Sequence, residues 1–274
     1  MNALLMTKTS FTTELENFLR RVFTLPETAS VTIRDVVISR GGLTPALVTE
    51  AAEKSYHDFC SDVDLSISVW LNPADSILPE HYLRRLDRYG VDASHCLGFV
   101  LQPEHRQCRV VMNAGMRYDL GFTFLFDPKA PRLSLDESSA GESPWPTEKV
   151  NAFWFVQIQA LGKLYRRDYL ISDHLANMNL NETLVQQMVL RDMEYGTNHH
   201  RYGHEEDLAY LSNQHKCPVQ TGDVAFDRIA DKLWCAALTY DQLTSRFYPE
   251  YKPRSDRFLS IWQDYETGRP SLPE

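Results

Sequence analysis

The chain has 274 residues, 43% of them hydrophobic, enough for one large domain or two ordinary ones. Its 28 basic and 37 acidic residues leave a net charge of −9, which disfavours non-specific binding to nucleic acid or anionic membranes and suits a cationic ligand. No apolar run reaches the ~18 residues that span a bilayer, and the first residues lack the basic, then apolar, pattern of a signal peptide. The five cysteines (Cys60, Cys96, Cys108, Cys217, Cys235) are scattered and form no CxxC pair, so reduced thiols in a cytoplasmic protein are the expectation and a structural zinc site is not.

In chain order, "SFTTELENFLRRVFTLPE" (10–27) predicts a helix. Phe11, Leu15, Phe18, Leu19 and Phe23 recur at helical spacing, and Ser10 or Thr12 is placed to cap it. "ASVTIRDVVISR" (29–40) is β-rich and ends at Gly41-Gly42. "TPALVTEAAEK" (44–54) then restarts a helix, with Thr44 as cap and Pro45 at its first position. A strand is expected over 64–71, and "LPEHYLRRLDRYG" (78–90) reads as an amphipathic helix closed by Gly90. Three further strands follow in "HCLGFVLQ", "QCRVVMNAG" and "MRYDLGFTFLFDP", the last two joined by a tight turn near Asn113-Ala114-Gly115.

Residues 127–147 carry four prolines and several serines without an apolar period, and read as a linker or long surface crossing. Beyond it the pattern is helical: two or three helices over 148–195, one over 223–248 and one over 253–267. The expected class is α+β, a mixed β-sheet flanked by helices over 1–146 followed by an all-α helical bundle over 147–274. No repeat of 20–50 residues, P-loop, GxGxxG or GxSxG motif is present.

The chemistry concentrates in the first half. In "FCSDVDLSISVWLNP", Asp62 and Asp64 are two residues apart at the mouth of a strand, so both point to the same face. Unaccompanied, such a pair repels and one pKa rises. A divalent cation removes the repulsion; capping of neighbouring N–H groups is the structural alternative. Asp119 interrupts the apolar strand "RYDLGFTF", where a charge is costly unless paired or metal-bound. Arg117, on the same face, either neutralises Asp119 or contacts phosphate. The turn Arg40-Gly41-Gly42 leads into a helix N-terminus, an arrangement that receives phosphate. Three carboxylates beside such a turn suit Mg²⁺ bridging the phosphates of a nucleotide.

These pieces, "VVISRGGLT", "FCSDVDLSISV" and "RYDLGF", resemble in order the nucleotidyltransferase superfamily, and within it the streptomycin-type aminoglycoside 6-adenylyltransferases. In that family a Gly-Ser turn precedes Asp-x-Asp and a third Asp on a later strand. The helical stretch 152–196, with its aromatic cluster Phe153, Trp154 and Phe155, and the loop "YGTNHHRYGHEEDLAYL" resemble the family's second half. The resemblance spans roughly residues 32–247 in short pieces. It departs at Gly42, where the family's serine would offer a hydroxyl to a terminal phosphate, and in a longer loop from Gly42 to Asp62.

The resemblance implies transfer of AMP from Mg·ATP to a hydroxyl of a small cationic acceptor such as an aminoglycoside. Asp62, Asp64 and Asp119 would hold the metal, Asp119 would also help deprotonate the acceptor, and Arg40, Gly41, Gly42 and Arg117 would contact the nucleotide. For the general base, Glu148 opens the first helix after the linker, and Asp173 in "ISDHL" matches an Asp of the family. Asp173 is favoured because it interrupts the apolar pattern Leu170, Ile171, Leu175; a solvated or capping position is the alternative. A non-catalytic protein of the same fold that binds a nucleotide or a partner protein is the second expectation, and an enzyme that nucleotidylates RNA or protein is a third. His199, His200 and His204 read as a solvated loop rather than a zinc site.

Overall fold

A computed structural model describes residues 8–57, 60, 62–75, 82–83, 85–91, 95–133, 147–196 and 216–268. The protein is α+β, with a six-stranded mixed sheet and six α-helices among the described residues. It divides into two compact units, Met1–Ala152 and Phe153–Glu274. The division falls inside a helix, a little beyond the residue-146 boundary expected from composition.

In the first unit, α1 (Lys8–Thr24) buries Phe11, Leu15, Phe18, Leu19 and Val22 along one stripe. The chain is already helical at Lys8, so Thr12 lies inside the helix and its hydroxyl donates back to the Lys8 carbonyl instead of capping. The β-rich stretch that follows is two strands, β1 (Thr28–Ile33) and β2 (Val36–Ser39), paired antiparallel. Arg34, with φ of 56°, turns the chain between them. Helix α2 (Pro45–Ser55) starts at Thr44, whose side chain accepts from the Leu47 N–H at 3.4 Å. Of the helix expected over 78–90, the described part includes a 3-10 turn, Leu86–Tyr89, closed by Gly90 at φ 73°.

Strands β3 (Asp62–Leu71), β4 (Cys96–Gln102), β5 (Gln107–Met112) and β6 (Arg117–Phe126) complete a sheet of order β2-β1-β3-β6-β5-β4. Only the central β3–β6 pair is parallel. Alternation sends Val63, Leu65, Ile67, Val69 and Leu71 to the same side as Tyr118, Leu120, Phe122 and Phe124, where α1 and α2 close the core. Phe18 of α1 stacks on Tyr118 with ring centroids 4.2 Å apart. The opposite face stays open and polar. It carries Asp62, Asp64, Ser66 and Ser68 of β3 and Arg117, Asp119, Gly121 and Thr123 of β6.

The second unit contains most of α3 (Thr147–Tyr165) together with α4 (Tyr169–Tyr195), α5 (Val224–Phe247) and α6 (Ser255–Gly268). Trp154 is fully buried and donates to the Tyr251 hydroxyl at 3.1 Å. Tyr251 in turn donates to Asp241 of α5, which also accepts the backbone N–H groups of Arg254 and Ser255 at the start of α6. One buried carboxylate thereby fixes where α6 begins. Helix α4 is unusual in polarity. Its buried positions are Ser172, Ala176, Asn179, Thr183, Gln186 and Leu190, while Met178, Val185, Val189 and Met193 are exposed. Ser172 and Asn179 donate to the Ala160 and Phe153 carbonyls of α3, which satisfies part of the polar face. No described helix is long and apolar enough to cross a membrane.

Candidate functional site

The open face of the sheet gathers the charged residues that the sequence singles out. In the parallel register of β3 and β6, Asp62 stands opposite Arg117 and Asp64 opposite Asp119. The antiparallel β5–β6 register adds Arg109 opposite Asp119. On the other side, Ile33 pairs with Leu65, which brings the turn residue Arg34 beside Asp64. Strand geometry alone therefore places three carboxylates and three guanidinium groups within a few residues of one another.

Arg109 Nε donates to both oxygens of Asp119 at 3.0 Å. Arg34 Nη2 stands 3.5 Å from Asp64 Oδ2, and Arg117 Nη2 stands 3.8 Å from Asp62 Oδ2. Arg117 is buried and also donates to the Cys60 carbonyl. A depression of about 600 Å³ lies over this face, lined among others by Thr32, Arg34, Asp64, Ser66, Arg109 and Asp119. Partial burial pushes the Asp64 carboxyl above the usual carboxylate range. The charges of Asp62 and Asp119 add to that shift, while Arg34 and Arg109 oppose it. Asp64 is the strained member of the group; Asp119 has the firm ion pair.

No group of three His, Cys, Asp or Glu side chains among the described residues has the geometry to hold a metal by itself. Mg²⁺, however, is usually held by one or two carboxylates together with substrate phosphates and water. Asp64 and Asp119, hard oxygen donors on adjacent positions of two strands, match that requirement, with Asp62 on the same face. The donor set fits Mg²⁺ carried with a phosphate.

The glycine turn is not part of this constellation. Ser39 pairs with Ser30, and Ser30 with Ser68, so the turn at Arg40-Gly41-Gly42 lies near the far end of β3. Four residues of strand, about 13 Å, separate that level from Asp64. The cause is the hairpin at Arg34-Asp35: the sequence reads as one strand running to the glycines, but the chain reverses midway and carries them to the other end. There Gly41 adopts φ of 80°, Gly42 donates to the Ser39 carbonyl at 2.9 Å, and Arg40 donates to the Pro26 carbonyl. Arg40 and Gly41 line a separate depression of about 520 Å³ with Arg20, Phe23 and Thr24.

Asp173 belongs to the helical unit. It accepts from Lys232 of α5 at 2.6 Å and from Asn177 at 3.2 Å. The Lys232 ammonium holds its carboxyl below the usual range, which makes it a weaker base. The apolar pattern around it is no sign of burial, since Leu170 is 85% and Ile171 41% exposed. Glu148 is exposed in the first turn of α3. His199, His200 and His204 lie outside the described residues.

Sequence reasoning passed over Arg34 and Arg109. A signal existed for the second: a hairpin turning about Ala114 sets position 109 against position 119. Arg34 had a weaker one: the alternation shifts phase across Arg34-Asp35, from Val31 and Ile33 to Val36 and Ile38, although no glycine, proline or asparagine marks the turn. No protein-family model and no curated protein matches the chain.

Proposed function

We propose that the protein is a Mg²⁺-dependent nucleotidyltransferase that moves AMP from ATP to a hydroxyl of a small cationic acceptor such as an aminoglycoside, with release of pyrophosphate. The observation that carries this is the β3–β6 register, which sets Asp64 against Asp119 with Asp62 on the same face. Asp64 and Asp119, with Asp62 on the same face, would hold the cation together with phosphate oxygens, and the cation when bound supplies charge neutralisation at phosphorus. Arg34, Arg109 and Arg117 would supply the positive charge around the phosphates that the distant glycine turn does not. Phosphoryl chemistry rests on positioning and electrostatics more than on covalent work, and rigid strands are good positioning devices. The sheet unit would thus be nucleotidyltransferase-like and the helical unit would bind acceptor. With Asp173 committed to Lys232, the acceptor's proton is assigned to Asp119 or to water.

A second reading, a non-catalytic nucleotide-binding protein of the same architecture, is favoured by one observation: every carboxylate of the group already has an arginine neighbour. One experiment separates the two. The protein is incubated with each nucleoside triphosphate, Mg²⁺ and a panel of aminoglycosides, and the acceptors are weighed by mass spectrometry. A gain of one nucleoside monophosphate, abolished in Asp64→Asn, supports the enzyme. Mg²⁺-dependent nucleotide binding without any gain supports the binding protein.

A further inference from the structure

Helix α4 carries its polarity the wrong way round for a helix that packs only within its own unit. Asn179, Thr183 and Gln186 are buried, while Ile171, Met178, Val185, Met188, Val189 and Met193 are each 40–61% exposed. An amphipathic helix normally turns its apolar stripe to the core. Turned as it is, α4 leaves that stripe in water and takes amides inside, where Gln186 Nε2 has no hydrogen-bond partner among the described residues. The exposed side chains are not scattered. Ile171, Met178 and Val185 are seven apart, Met188 follows Val185 by three and Val189 by four, so they form one strip along most of the helix. Seven-residue spacing is what one helix presents to another of similar length. With Leu170 and Tyr195 at its ends, the strip amounts to several hundred Å², on the order of the ~800 Å² that each partner contributes to a standard interface.

The ends of the helix select what covers the strip. Arg166 and Arg167 stand exposed just before its N-terminus. At its C-terminus, Asp192 and Glu194 are matched by Arg191 and Arg246, so the last carbonyls leave that end negative. A parallel helix of the same kind would set basic end against basic end. An antiparallel one sets each basic end against the negative end of the other and closes a two-fold, self-complementary contact. We infer that the exposed strip of α4 pairs antiparallel with the same strip of a second copy of this chain. Met178 of one copy then faces Val185 of the other near the centre, and Asn181, exposed midway along the strip, meets its own counterpart. Because the strip lies in water in the single chain, substitutions on it act on association and not on the fold of each copy. The pairing does not depend on the nucleotide-transfer reading of the sheet.

The test is analytical ultracentrifugation of the full chain over about 1–100 μM, since interfaces of standard size can be as weak as micromolar. The parent is expected to shift from monomer toward dimer as concentration rises. Met178→Glu and Val185→Glu each place a charge in the seam and should raise the dimer dissociation constant at least tenfold, with the far-UV circular dichroism of the parent retained. Val37→Glu, at an exposed apolar position on β2, should leave the dimer unchanged. Crosslinking tests the register without disturbing the apolar strip's centre. Asn181→Cys should form an intermolecular disulfide under mild oxidation above the parent background, whereas Leu170→Cys, whose two copies would lie about 33 Å apart along the pair, should not. A parent that stays monomeric throughout, a dimer that persists in both glutamate variants, or a disulfide at Leu170→Cys and none at Asn181→Cys overturns the inference. A monomeric parent whose Val185→Glu variant unfolds also overturns it, and shows the strip to be covered from within its own chain.

Discussion

At the scale of single residues, Asp64 and Asp119 are neighbours with opposite expectations. Asp64 has two carboxylates near it and a guanidinium 3.5 Å away, and its carboxyl is pushed above the usual range mainly by partial burial. Asp119 receives two 3.0 Å contacts from Arg109. Asp64→Asn should therefore leave stability unchanged or slightly raised while abolishing Mg²⁺-dependent nucleotide binding, because it removes a like-charge repulsion. Asp119→Asn should lower stability by about 1 kcal/mol, as it leaves Arg109 without its ionic partner. Urea denaturation of both variants checks the pair, and equal destabilisation would make Asp64 a structural residue. These aspartates were legible in the sequence because period-two alternation is enough to put Asp62 and Asp64 on one face. Arg117 was legible by the same alternation, although it pairs with Asp62 and not with Asp119, whereas Arg34 and Arg109 come from a turn and a strand whose register no local pattern near Asp64 specifies.

At the scale of elements, α4 tests how far hydrophobic periodicity can be relied upon. Asn179 is buried and donates to the Phe153 carbonyl, whereas Met178 is 47% exposed. Asn179→Ala should cost about 1 kcal/mol or more and Met178→Ala less than about 0.5 kcal/mol, the reverse of a usual amphipathic helix. Paired urea curves decide it. The contact between α4 and α5 also carries the Asp173–Lys232 pair, whose acidic member is held below the usual range by the lysine. Since the folded carboxyl is the stronger acid, its contribution is fully present at neutral pH. It disappears as pH falls through the depressed folded value. Asp173→Asn should therefore cost about 0.2–1 kcal/mol at pH 7, reduced by solvent at this half-exposed site, and nothing in strong acid. Turnover unaffected by the same variant would remove Asp173 from the chemistry. Elsewhere elements follow the sequence closely: Thr44-Pro45 opens α2, and the helices match 148–195, 223–248 and 253–267 to within two residues at each outer end. The hairpin inside 29–40 was marked only weakly: at Arg34-Asp35 the alternation shifts phase, from Val31 and Ile33 to Val36 and Ile38, but no glycine or asparagine signals a two-residue loop.

At the scale of the whole molecule, the fold class was readable from the order of strands and helices, while the topology of the sheet was not. One pairing, β3 with β6, is parallel and joins segments separated by β4 and β5. It also holds the candidate site, since Asp64 and Asp119 meet nowhere else. Hairpins such as β1–β2 and β5–β6 close between chain neighbours and so form quickly, within about 1–10 microseconds. A contact between distant segments must first overcome loop-closure entropy and is formed late. The site is consequently a clock for folding: its two halves come together only when the middle of the sheet zips. Stopped-flow refolding should show Mg²⁺-dependent nucleotide binding returning with the slowest phase of strand formation, and recovery in an earlier phase would mean that β3 and β6 pair before the hairpins on either side of them. A substitution that delays that central pairing would prolong an intermediate with much of its secondary structure and none of the site, so the site would be missing for that interval while every charged side chain of the face remained intact.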